Sequence, residues 1–381
     1  MSVDSPRGET LRTTRLAELL RERDLGMLLV SEPVNLRYIT GFTGSNGLAL
    51  LGGDAVGASA LHLFFTDFRY ATQSVEQIPD VYERRIVQVE LIEAAARELA
   101  EREAADRVGG VRLGFDDAAL TVKQHTRLHE LLGAAYELVP SAGIVEGLRE
   151  LKDAKELQRI AVAAGLAEEA LRGVLEGGLA GRTEREVAID LELRMRRLGA
   201  SAPSFPSIVA AGEHSALPHA EARDVEIPRD TLVTIDWGAE LDGYCSDCTR
   251  TYATGEGASA EDREVYELVL RAQLAGLAAV RPGPSGREVD AVAREIIERA
   301  GHGEHFGHGL GHGVGLEVHE APRLSRTASE QPLRAGHVVT VEPGVYIPGR
   351  IGVRIEDLAV VTEDGHEVLG GELSKELTVV G

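Results

Sequence analysis

Four carboxylates hold equivalent positions in or shortly after a sequence that occurs twice in the second half of the chain. Leu232–Gly238 (LVTIDWG) recurs 106 residues later as Val338–Gly344 (VVTVEPG). Each copy is a β-branched run, which favours a strand, and it ends on an acid, Asp236 or Glu342, shortly before a glycine that favours a turn. The repetition predicts two equivalent strands that each deliver one carboxylate to the same kind of position.

A second acid follows in the next predicted strand of each copy, Asp247 in the first and Glu356 in the second. Opposed residues of an antiparallel hairpin keep a fixed register. If the two acids of each copy are opposed, the turns are centred at 241–242 and at Gly349, where the local residues favour turns. We therefore predict that the two acids of each copy face each other across a hairpin.

Four buried acids repel one another and lose hydration at large cost unless cations neutralise them. A metal site therefore explains these acids better than a structural role does. Carboxylates combined with one imidazole, His312, favour hard divalent ions, and a pair of ions would balance the charge. We predict two divalent ions, with Mn²⁺ favoured and Co²⁺ or Zn²⁺ as alternatives. Two ions roughly 3.5 Å apart that share carboxylates activate water at neutral pH, so the implied reaction class is hydrolysis.

A glycine-rich segment, Phe306–Glu320, supplies histidines to the predicted site. Glycine at alternate positions disfavours helix and strand, but it lets the backbone approach a site closely while the segment presents His308 and His312. The segment does not match a dinucleotide-binding loop, because Val314 occupies the place of the third glycine. His219 stands at the matching place in the first copy of the repeat.

The elements that must position these side chains are also repeated. Capping boxes at Thr183–Glu186 and Ser285–Glu288 begin two helical stretches 102 residues apart. Each stretch precedes a loop with histidines and then the repeated hairpin, so residues 144–381 are predicted to form two halves related by a pseudo-two-fold axis. Residues 1–143 alternate strands with helices, which is typical of an α/β domain. The break at Pro140–Gly143 places the domain boundary between residues 143 and 144.

Composition excludes several classes of function. The 381 residues carry 40 basic and 62 acidic side chains, a net charge of −22, which argues against nucleic-acid and anionic-membrane partners. The polar segment Met1–Glu18 has no apolar signal-peptide core, and no apolar run reaches the roughly 18 residues that a membrane span needs. Two cysteines do not make a disulfide framework, so we expect a reducing, cytoplasmic location.

Cys245-x-x-Cys248 offers a competing interpretation, as a redox pair or half of a zinc site. The chain has no second C-x-x-C, and the motif lies in a predicted strand rather than at a helix N-terminus. We interpret the two cysteines as small strand residues.

Taken together, these motifs resemble the proline-specific branch of the pita-bread metallopeptidases, which contains Xaa-Pro aminopeptidases (aminopeptidase P) and Xaa-Pro dipeptidases (prolidases). The resemblance covers residues 150–381, and residues 1–143 resemble the creatinase-like α/β domain that precedes this catalytic domain. It implies an α+β pita-bread fold with a pseudo-two-fold internal repeat. The motifs that carry it are Thr234–Gly238, Ser246–Thr251, His308–Gly315, Val318–Glu320, Val341–Gly344 and Arg354–Asp357.

The resemblance assigns roles to the metal ligands. It implies that Asp236 binds one ion, that His312 and Glu342 bind the other, and that Asp247 and Glu356 bridge both. Glu342 would also take the proton of the attacking nucleophile. All five positions hold the residue types that the family uses, whereas creatinase has the fold without these ligands.

Further catalytic roles follow from the same resemblance. His219 and His319 would steady the scissile carbonyl and the developing oxyanion, and His308 would hold the proline residue of the substrate. Arg354, two residues before Glu356 on one strand face, would tune or position that ligand.

Within the branch, the sequence favours an aminopeptidase that releases the first residue of Xaa-Pro-Yaa and longer peptides. Tyr38–Ser45 and Phe65–Tyr70 resemble small bacterial aminopeptidase P sequences, although Phe68 stands where those usually carry glycine. The Gly- and Ser-rich loop Thr40–Gly47 offers no bulky lid that would restrict the substrate to dipeptides. The alternatives are a dipeptidase and a non-catalytic peptide-binding protein of the same fold.

The expected partners are peptides with proline in the second position and a second copy of the chain in a homodimer. Proline lacks an N–H and fixes φ near about −65°, so a pocket shaped for its ring can select Xaa-Pro bonds. The apolar candidates for the wall of that pocket are Phe205, Val314 and Tyr346.

Overall fold

The computed structural model describes residues 6–52, 61–106, 110–256 and 258–381, so the first five residues of the polar N-terminal segment lie outside it. The chain divides into two compact units, Met1–Arg149 and Glu150–Gly381. No helix among the described residues is long and apolar enough to cross a membrane.

The boundary between the units lies later than the sequence-based boundary at 143/144. Helix Ile144–Arg149 belongs to the first unit, because its side chains and backbone are bonded to residues near the start of the chain. Arg149 donates to Asn35 Oδ1 at 2.8 Å, and Asn35 donates in turn to Glu146 Oε1 at 2.7 Å. Tyr38 donates to the Leu148 carbonyl at 3.1 Å. The predicted boundary was therefore one helix too early.

The first unit is a mixed sheet flanked by helices. Its strands are β1 (Met27–Val30), β2 (Gly47–Gly52), β3 (His62–Asp67), β4 (Glu83–Val87), β5 (Val111–Phe115) and β6 (Tyr136–Pro140). Its helices are α1 (Pro6–Glu22), α2 (Pro33–Thr40), α3 (Ala71–Gln77), α4 (Leu91–Asp106), α5 (Val122–Leu132) and α6 (Ile144–Arg149). The sheet order is β4-β3-β2-β1-β5-β6, with β1 and β2 antiparallel and β1 and β5 parallel.

Alternation along the strands builds the core of this unit. Leu29, Leu50 and Phe65 point to one face of the sheet, where they pack with Leu99 of α4 and Leu128 of α5. All five side chains are buried. The period-two pattern therefore covers this face of the sheet with amphipathic helices, as the sequence predicted for an α/β domain.

Helix α2 ends where the Gly- and Ser-rich loop Thr40–Gly47 begins. Glu32 caps it by accepting from the Asn35 backbone N–H, Pro33 stands in its first turn, and Gly41 ends it in the left-handed region with φ 78°. A helix of eight residues has too few turns to show a clear apolar period in the sequence, so the sequence analysis did not predict it.

The first half of the second unit consists of a helix pair and the first copy of the hairpin. The helices are α7 (Ala154–Leu175) and α8 (Glu184–Leu198), and the strands are β7 (Ala202–Pro203), β8 (Ile208–Ala211), β9 (Leu232–Trp237), β10 (Ala239–Leu241), β11 (Tyr244–Cys245) and β12 (Cys248–Thr254). The capping box at Thr183 and Glu186 is formed as predicted. Leu171 and Leu191 of the two helices pack with Val233 and Trp237 in one buried cluster.

The second half repeats this arrangement. The helices are α9 (Ala260–Ala279) and α10 (Gly286–Arg299), and the strands are β13 (Gly311–Gly313), β14 (Glu320–Leu324), β15 (Val338–Val341), β16 (Gly344–Ile347), β17 (Ile351–Arg354), β18 (Asp357–Val361) and β19 (His366–Leu369). β20 (Val379–Val380) returns to pair with β12 in the sheet β20-β12-β9-β8. The second capping box, at Ser285 and Glu288, is also formed.

The two hairpins differ in how well they match the predicted register. In the second, Val341 lies opposite Asp357 and Gly344 lies opposite Arg354. These pairs stand on either side of Glu342 and Glu356 and keep the register in which the two acids are opposed, as predicted. In the first, the prediction was wrong, because Asp236 lies opposite Thr249 rather than Asp247.

The cause is the turn of the first hairpin. Asp242 and Gly243 both have positive φ, 49° and 78°, so they form a two-residue turn between Leu241 and Tyr244. This turn is centred one residue later than predicted, and a shift of one residue at the centre displaces the pairing by two.

Candidate metal centre

The four repeated acids lie at strand ends where the two halves of the second unit meet. Asp236 is near the end of β9, and Glu342 directly follows β15. Asp247 directly precedes β12, and Glu356 directly precedes β18. The Glu356 backbone N–H donates to the Thr249 carbonyl at 3.0 Å, so a strand end of one half is bonded directly to a strand end of the other.

His312 of β13 lies among these acids. Its Nε2 is 3.3 Å from Glu342 Oε1 and 3.6 Å from Asp247 Oδ2. One ligand atom each from Asp247, His312 and Glu356 lies within 4.8 Å of the other two, a spacing that could hold a metal ion. His312 Nδ1 is 3.1 Å from the Gly313 carbonyl and donates its proton to that acceptor, so Nε2 is the ring nitrogen that faces the acids.

Two carboxylate oxygens of this cluster fit a bound cation because nothing else satisfies them. Asp236 Oδ1 and Glu356 Oε1 are buried and have no hydrogen-bond partner among the described residues. Buried carboxylate oxygens without partners are costly, and a divalent ion is the ligand that would satisfy both. The residues present therefore fit the metal ions that the sequence predicted.

Arg354 and Thr249 hold the remaining oxygens of two acids. Arg354 donates to Asp236 Oδ2 at 2.6 Å and, through Nε, to Thr249 Oγ1 at 3.1 Å. Thr249 Oγ1 in turn donates to Glu356 Oε2 at 2.7 Å. Arg354 therefore contacts Asp236 directly and reaches Glu356 only through the threonine, whereas the sequence analysis expected it to act on Glu356.

The raised pKa values of three of the acids indicate that the site would be stabilised by a bound cation. Burial raises the pKa values of Asp247 and Glu356 well above the ordinary range, and the charge of Glu356 adds to the rise at Asp247. Burial also raises the pKa of Asp236, although the Arg354 guanidinium opposes it. The Arg354 guanidinium does not offset the repulsion, so ionising these acids together requires further positive charge.

Glu342 and His312 form a well-matched pair within the cluster. Burial would raise the pKa of Glu342, but the hydrogen bond and the charge of His312 lower it to about 2. The pKa of His312 is raised, because Glu342 overcomes the effect of burial. A metal ion on Nε2 would take the place of the proton that this pair holds in its absence.

His308 lies in a polar chain beside the acids. Its Nδ1 is 2.7 Å from the Gly309 carbonyl, so Nδ1 is the donor, and Nε2 accepts from the Tyr346 hydroxyl at 2.9 Å. Tyr346 accepts from Arg354 at 2.7 Å. Tyr346, predicted from the sequence only as an apolar wall, thus links His308 to Arg354, which binds Asp236.

The other two predicted histidines lie at the exposed side of the cluster. The His319 ring centroid is 4.3 Å from that of His312, and both His319 and His219 are exposed. Burial of part of the ring lowers the pKa of His319, and the charges of His312 and His219 lower it further. Arg354 donates to the Pro218 carbonyl at 3.2 Å, which fixes the residue before His219.

The structure contradicts one sequence prediction at this site and agrees with another. Val314 is fully buried in a core cluster with Ile160 and Leu358, so it is not a pocket wall. Cys245 and Cys248 are free cysteines, and burial raises the pKa of both thiols, which disfavours a reactive thiolate. The interpretation of the cysteines as small strand residues agrees with this environment.

The sequence analysis missed two threonines that support the acids. Thr340 Oγ1 donates to Glu342 Oε1 at 3.2 Å and accepts from the His312 backbone N–H at 3.1 Å. Thr249 bridges Arg354 and Glu356. The signal for Thr340 was present, because a threonine stands two residues before the acid in both copies of the repeat, on the same strand face.

Comparison with known proteins identifies the family. Residues 158–363 match the model of "Metallopeptidase family M24", and residues 12–151 match the "Creatinase/Prolidase N-terminal domain". The chain belongs to metallopeptidase family M24. It is therefore a metallopeptidase with a creatinase-type first domain, as the sequence motifs indicated.

Individual relatives resemble the chain over nearly its whole length. An Xaa-Pro dipeptidase of Pyrococcus furiosus is 34% identical over 94% of this chain and 97% of its own. The structure of an Xaa-Pro dipeptidase from Bacillus anthracis superposes with a TM-score of 0.90 at 38% identity, covering 98% of this chain and 100% of that one. The structure of an X-Pro aminopeptidase from Thermotoga maritima superposes with a TM-score of 0.83 at 34% identity, covering 94% of this chain and 99% of that one. The mixed α/β first domain and the pita-bread catalytic fold are thereby confirmed.

Proposed function

We propose that this metallopeptidase hydrolyses Xaa-Pro peptide bonds at a centre of two divalent ions held by Asp236, Asp247, His312, Glu342 and Glu356. The observation that carries the proposal is the pair of unsatisfied buried oxygens, Asp236 Oδ1 and Glu356 Oε1, together with the grouping of Asp247, His312 and Glu356 at a spacing that could hold a metal ion. The Xaa-Pro substrates named for relatives that match nearly the whole chain support the choice of bond.

The proposed chemistry divides between the ions and the protein. Bound ions would supply Lewis acidity and a water that is activated at neutral pH. Glu342, whose pKa is about 2, is ionised and can take a proton from that water. His219 and His319 lie at the exposed side, where an incoming carbonyl would meet them, and Arg354 keeps Asp236 oriented.

The metal dependence is tested by removing and restoring the ions. Purified protein treated with a chelator should lose Xaa-Pro peptidase activity, and Mn²⁺, the ion we propose, should restore it at least as well as Co²⁺ or Zn²⁺. Full activity in a sample shown by elemental analysis to be metal-free would contradict the proposal. Absence of cleavage across a panel of Xaa-Pro peptides with every metal would favour the non-catalytic binding protein.

For substrate length, the first candidate is the aminopeptidase that the sequence favours. A second candidate, the dipeptidase, is favoured by Arg323 of β14. This exposed side chain lies close enough to His319 for its charge to lower the histidine pKa. A guanidinium binds a carboxylate through two parallel hydrogen bonds, and a dipeptide places its proline carboxylate directly after the scissile bond. The names of the Pyrococcus furiosus and Bacillus anthracis relatives also support this candidate.

One experiment separates the two candidates. Gly-Pro and Gly-Pro-Gly-Gly are compared under saturating Mn²⁺ for the wild type and for Arg323→Gln. A dipeptidase should cleave Gly-Pro faster, and Arg323→Gln should raise KM for Gly-Pro alone. Faster cleavage of the tetrapeptide, unchanged by Arg323→Gln, identifies the aminopeptidase.

We also propose a cytoplasmic homodimer. The location is supported by two free cysteines in a chain that uses no disulfide. Light scattering of the purified protein should give twice the mass of 40.8 kDa, and a monomer mass at micromolar concentration would contradict the dimer.

A further inference from the structure

Helix α10 carries a buried ion pair that the chemistry of the metal centre does not use. Arg294 Nε is 2.7 Å from Asp290 Oδ2, and Arg294 NH2 is 2.8 Å from Asp290 Oδ1, an i,i+4 pair with two parallel hydrogen bonds. The side chains are 7% and 1% exposed. A buried ion pair contributes little net stability after its desolvation cost, so its burial calls for another explanation.

The pair is bonded to the backbone of the glycine-rich segment at three alternate residues. Arg294 donates to the Phe306 carbonyl at 3.1 Å and to the His308 carbonyl at 2.7 Å. Asp290 Oδ1 accepts from the Leu310 backbone N–H at 2.9 Å. The guanidinium also lies 4.1 Å from the centre of the Phe306 ring.

These contacts fix the part of the segment that has the greatest freedom. Gly307 and Gly309 flank His308, and glycine loses more conformational entropy on folding than any other residue. With the backbone held at His308, the imidazole lies edge-on to Phe306, with ring centroids 5.1 Å apart, and bonds to Tyr346. The position of the His308 ring is therefore set from helix α10.

We propose that Asp290 and Arg294 are positioning residues that hold His308 in the orientation that binds the substrate. This inference rests on the proposed function, in which His308 contacts the proline residue of the substrate. The hydrogen bonds of Arg294 go to the backbone carbonyls of 306 and 308 and to none of the five proposed ligands, so we expect Arg294 to act on substrate affinity. Asp290 bonds the Leu310 backbone N–H, and the Leu310 carbonyl accepts from the Glu342 backbone N–H at 2.8 Å, so the test changes Arg294 and leaves Asp290 in place.

A matched pair on helix α8 separates this role from a general contribution to helix stability. Asp190 and Arg194 have the same spacing, with Arg194 Nε 2.9 Å from Asp190 Oδ1. Their side chains are 27% and 38% exposed. Removing this second pair should reduce the stability of its helix by a similar small amount without affecting His308.

The test is Arg294→Lys, with Arg194→Lys as its control. Lysine keeps the charge but has a single ammonium, which cannot bond Asp290 and two carbonyls with the geometry of the guanidinium fork. We expect Arg294→Lys to raise KM for Gly-Pro about tenfold, the loss of one charged hydrogen bond, with kcat and Mn²⁺ affinity within about twofold. Arg194→Lys should change none of these quantities.

A double-mutant cycle with His308→Ala shows whether Arg294 acts through the histidine. If it does, Arg294→Lys should have little further effect on KM in the His308→Ala background. Additive effects on KM, an unchanged KM in Arg294→Lys, or a parallel loss of kcat and metal affinity would each overturn the proposal.

Hydrogen exchange gives a readout that does not depend on peptidase activity. Backbone amides at 307–311 should exchange faster in Arg294→Lys than in the wild type, and Arg194→Lys should leave them protected. If the wild type cleaves no Xaa-Pro peptide, the proposed function fails while exchange still decides whether the pair holds the segment. Unchanged exchange in Arg294→Lys would overturn the positioning role in either case.

Discussion

At the scale of single residues, the centre is organised around carboxylates that are poorly satisfied by the protein alone. Asp247 and Glu356 have pKa values raised by burial and by neighbouring acids. Glu356 keeps one oxygen for Thr249 and leaves the other without a partner. Such groups destabilise the metal-free fold, so metal binding and folding stability should be coupled.

Replacing Asp247 with asparagine tests this coupling. We expect turnover to fall by about 100-fold or more, because a ligand is lost, while the metal-free protein melts at a higher temperature because one buried charge is gone. Calorimetric melting with and without Mn²⁺ measures both effects, and Asp190→Asn on the surface of α8 serves as the control. A metal-free Asp247→Asn protein that melts lower than wild type would count against the argument.

Thr249 should matter for metal affinity although it is not a proposed ligand. Thr249→Val removes the hydroxyl that accepts from Arg354 and donates to Glu356 Oε2. Losing such a supporting hydrogen bond typically weakens metal binding about 10- to 100-fold. Titration calorimetry with Mn²⁺ measures the change. Thr249→Ser keeps the hydroxyl and should restore most of the affinity, whereas equal losses in both variants would show that packing, not the hydrogen bond, is responsible.

At the scale of elements, the repeated helix pairs and hairpins bring residues from distant parts of the chain into contact. Strand β13 is the clearest case, because its glycines let it lie very close to its neighbours. A Cβ added at Gly311 would lie 2.0 Å from the Thr340 carbonyl oxygen, inside any real contact distance. The close approach places His312 beside Thr340, which bonds both His312 and Glu342.

Gly311→Ala should therefore damage both stability and metal binding. The methyl group must push β13 away from β15, which we expect to cost about 2–4 kcal/mol of unfolding free energy. Gly307→Ala is the matched control in the same segment, since a Cβ there meets no heavy atom within 4 Å. Urea denaturation and Mn²⁺ titration of both variants give the measurement, and similar behaviour of the two would refute the role of close approach.

At the scale of the whole molecule, each unit contains a buried titratable group with its own effect on stability in acid. In the second unit, burial lowers the pKa of His337 from 6.5 to about 4. In the first unit, burial raises the pKa of Asp116 from 3.8 to about 6. The two shifts have opposite effects on stability. Between pH 4 and 6.5 the unfolded chain binds a proton at His337 more readily than the folded chain does, whereas between pH 3.8 and 6 the folded chain binds a proton at Asp116 more readily.

The two groups predict opposite pH dependences. His337 should cost stability as the pH falls from 6.5 toward 4, whereas the contribution of Asp116 is favourable in acid and is lost as the pH rises through 3.8 to 6. His337→Asn keeps an acceptor for the Arg334 backbone N–H and should reduce the acid-induced loss by about 2 kcal/mol. Denaturation at pH 7 and pH 5 tests this, with the exposed His129→Asn as control. An undiminished loss in His337→Asn would contradict the assignment.

The sequence by itself determined the features that depend on local pattern. The capping boxes at Thr183 and Ser285 formed as predicted, because a cap needs only residues within one helical turn. The second hairpin kept its predicted register, and the repetition of acids predicted that the four proposed carboxylate ligands lie in one region. These inferences succeeded because a duplicated pattern folds into duplicated elements.

Only the tertiary structure decided which atoms meet across distant segments. Arg354 bonds Asp236 and not Glu356, because β17 of the second half lies against β9 of the first. The pairing of Asp236 with Thr249 depended on which two residues of the first hairpin form the turn. Several neighbouring residues there favour a turn, so the sequence alone does not determine where the turn is centred. The hydrogen bonds from Asp290 and Arg294 to the glycine-rich segment depend on how helix α10 packs, and the apolar periodicity of the sequence does not predict that packing. Local sequence fixes elements, whereas side-chain partners depend on packing between elements far apart in the chain.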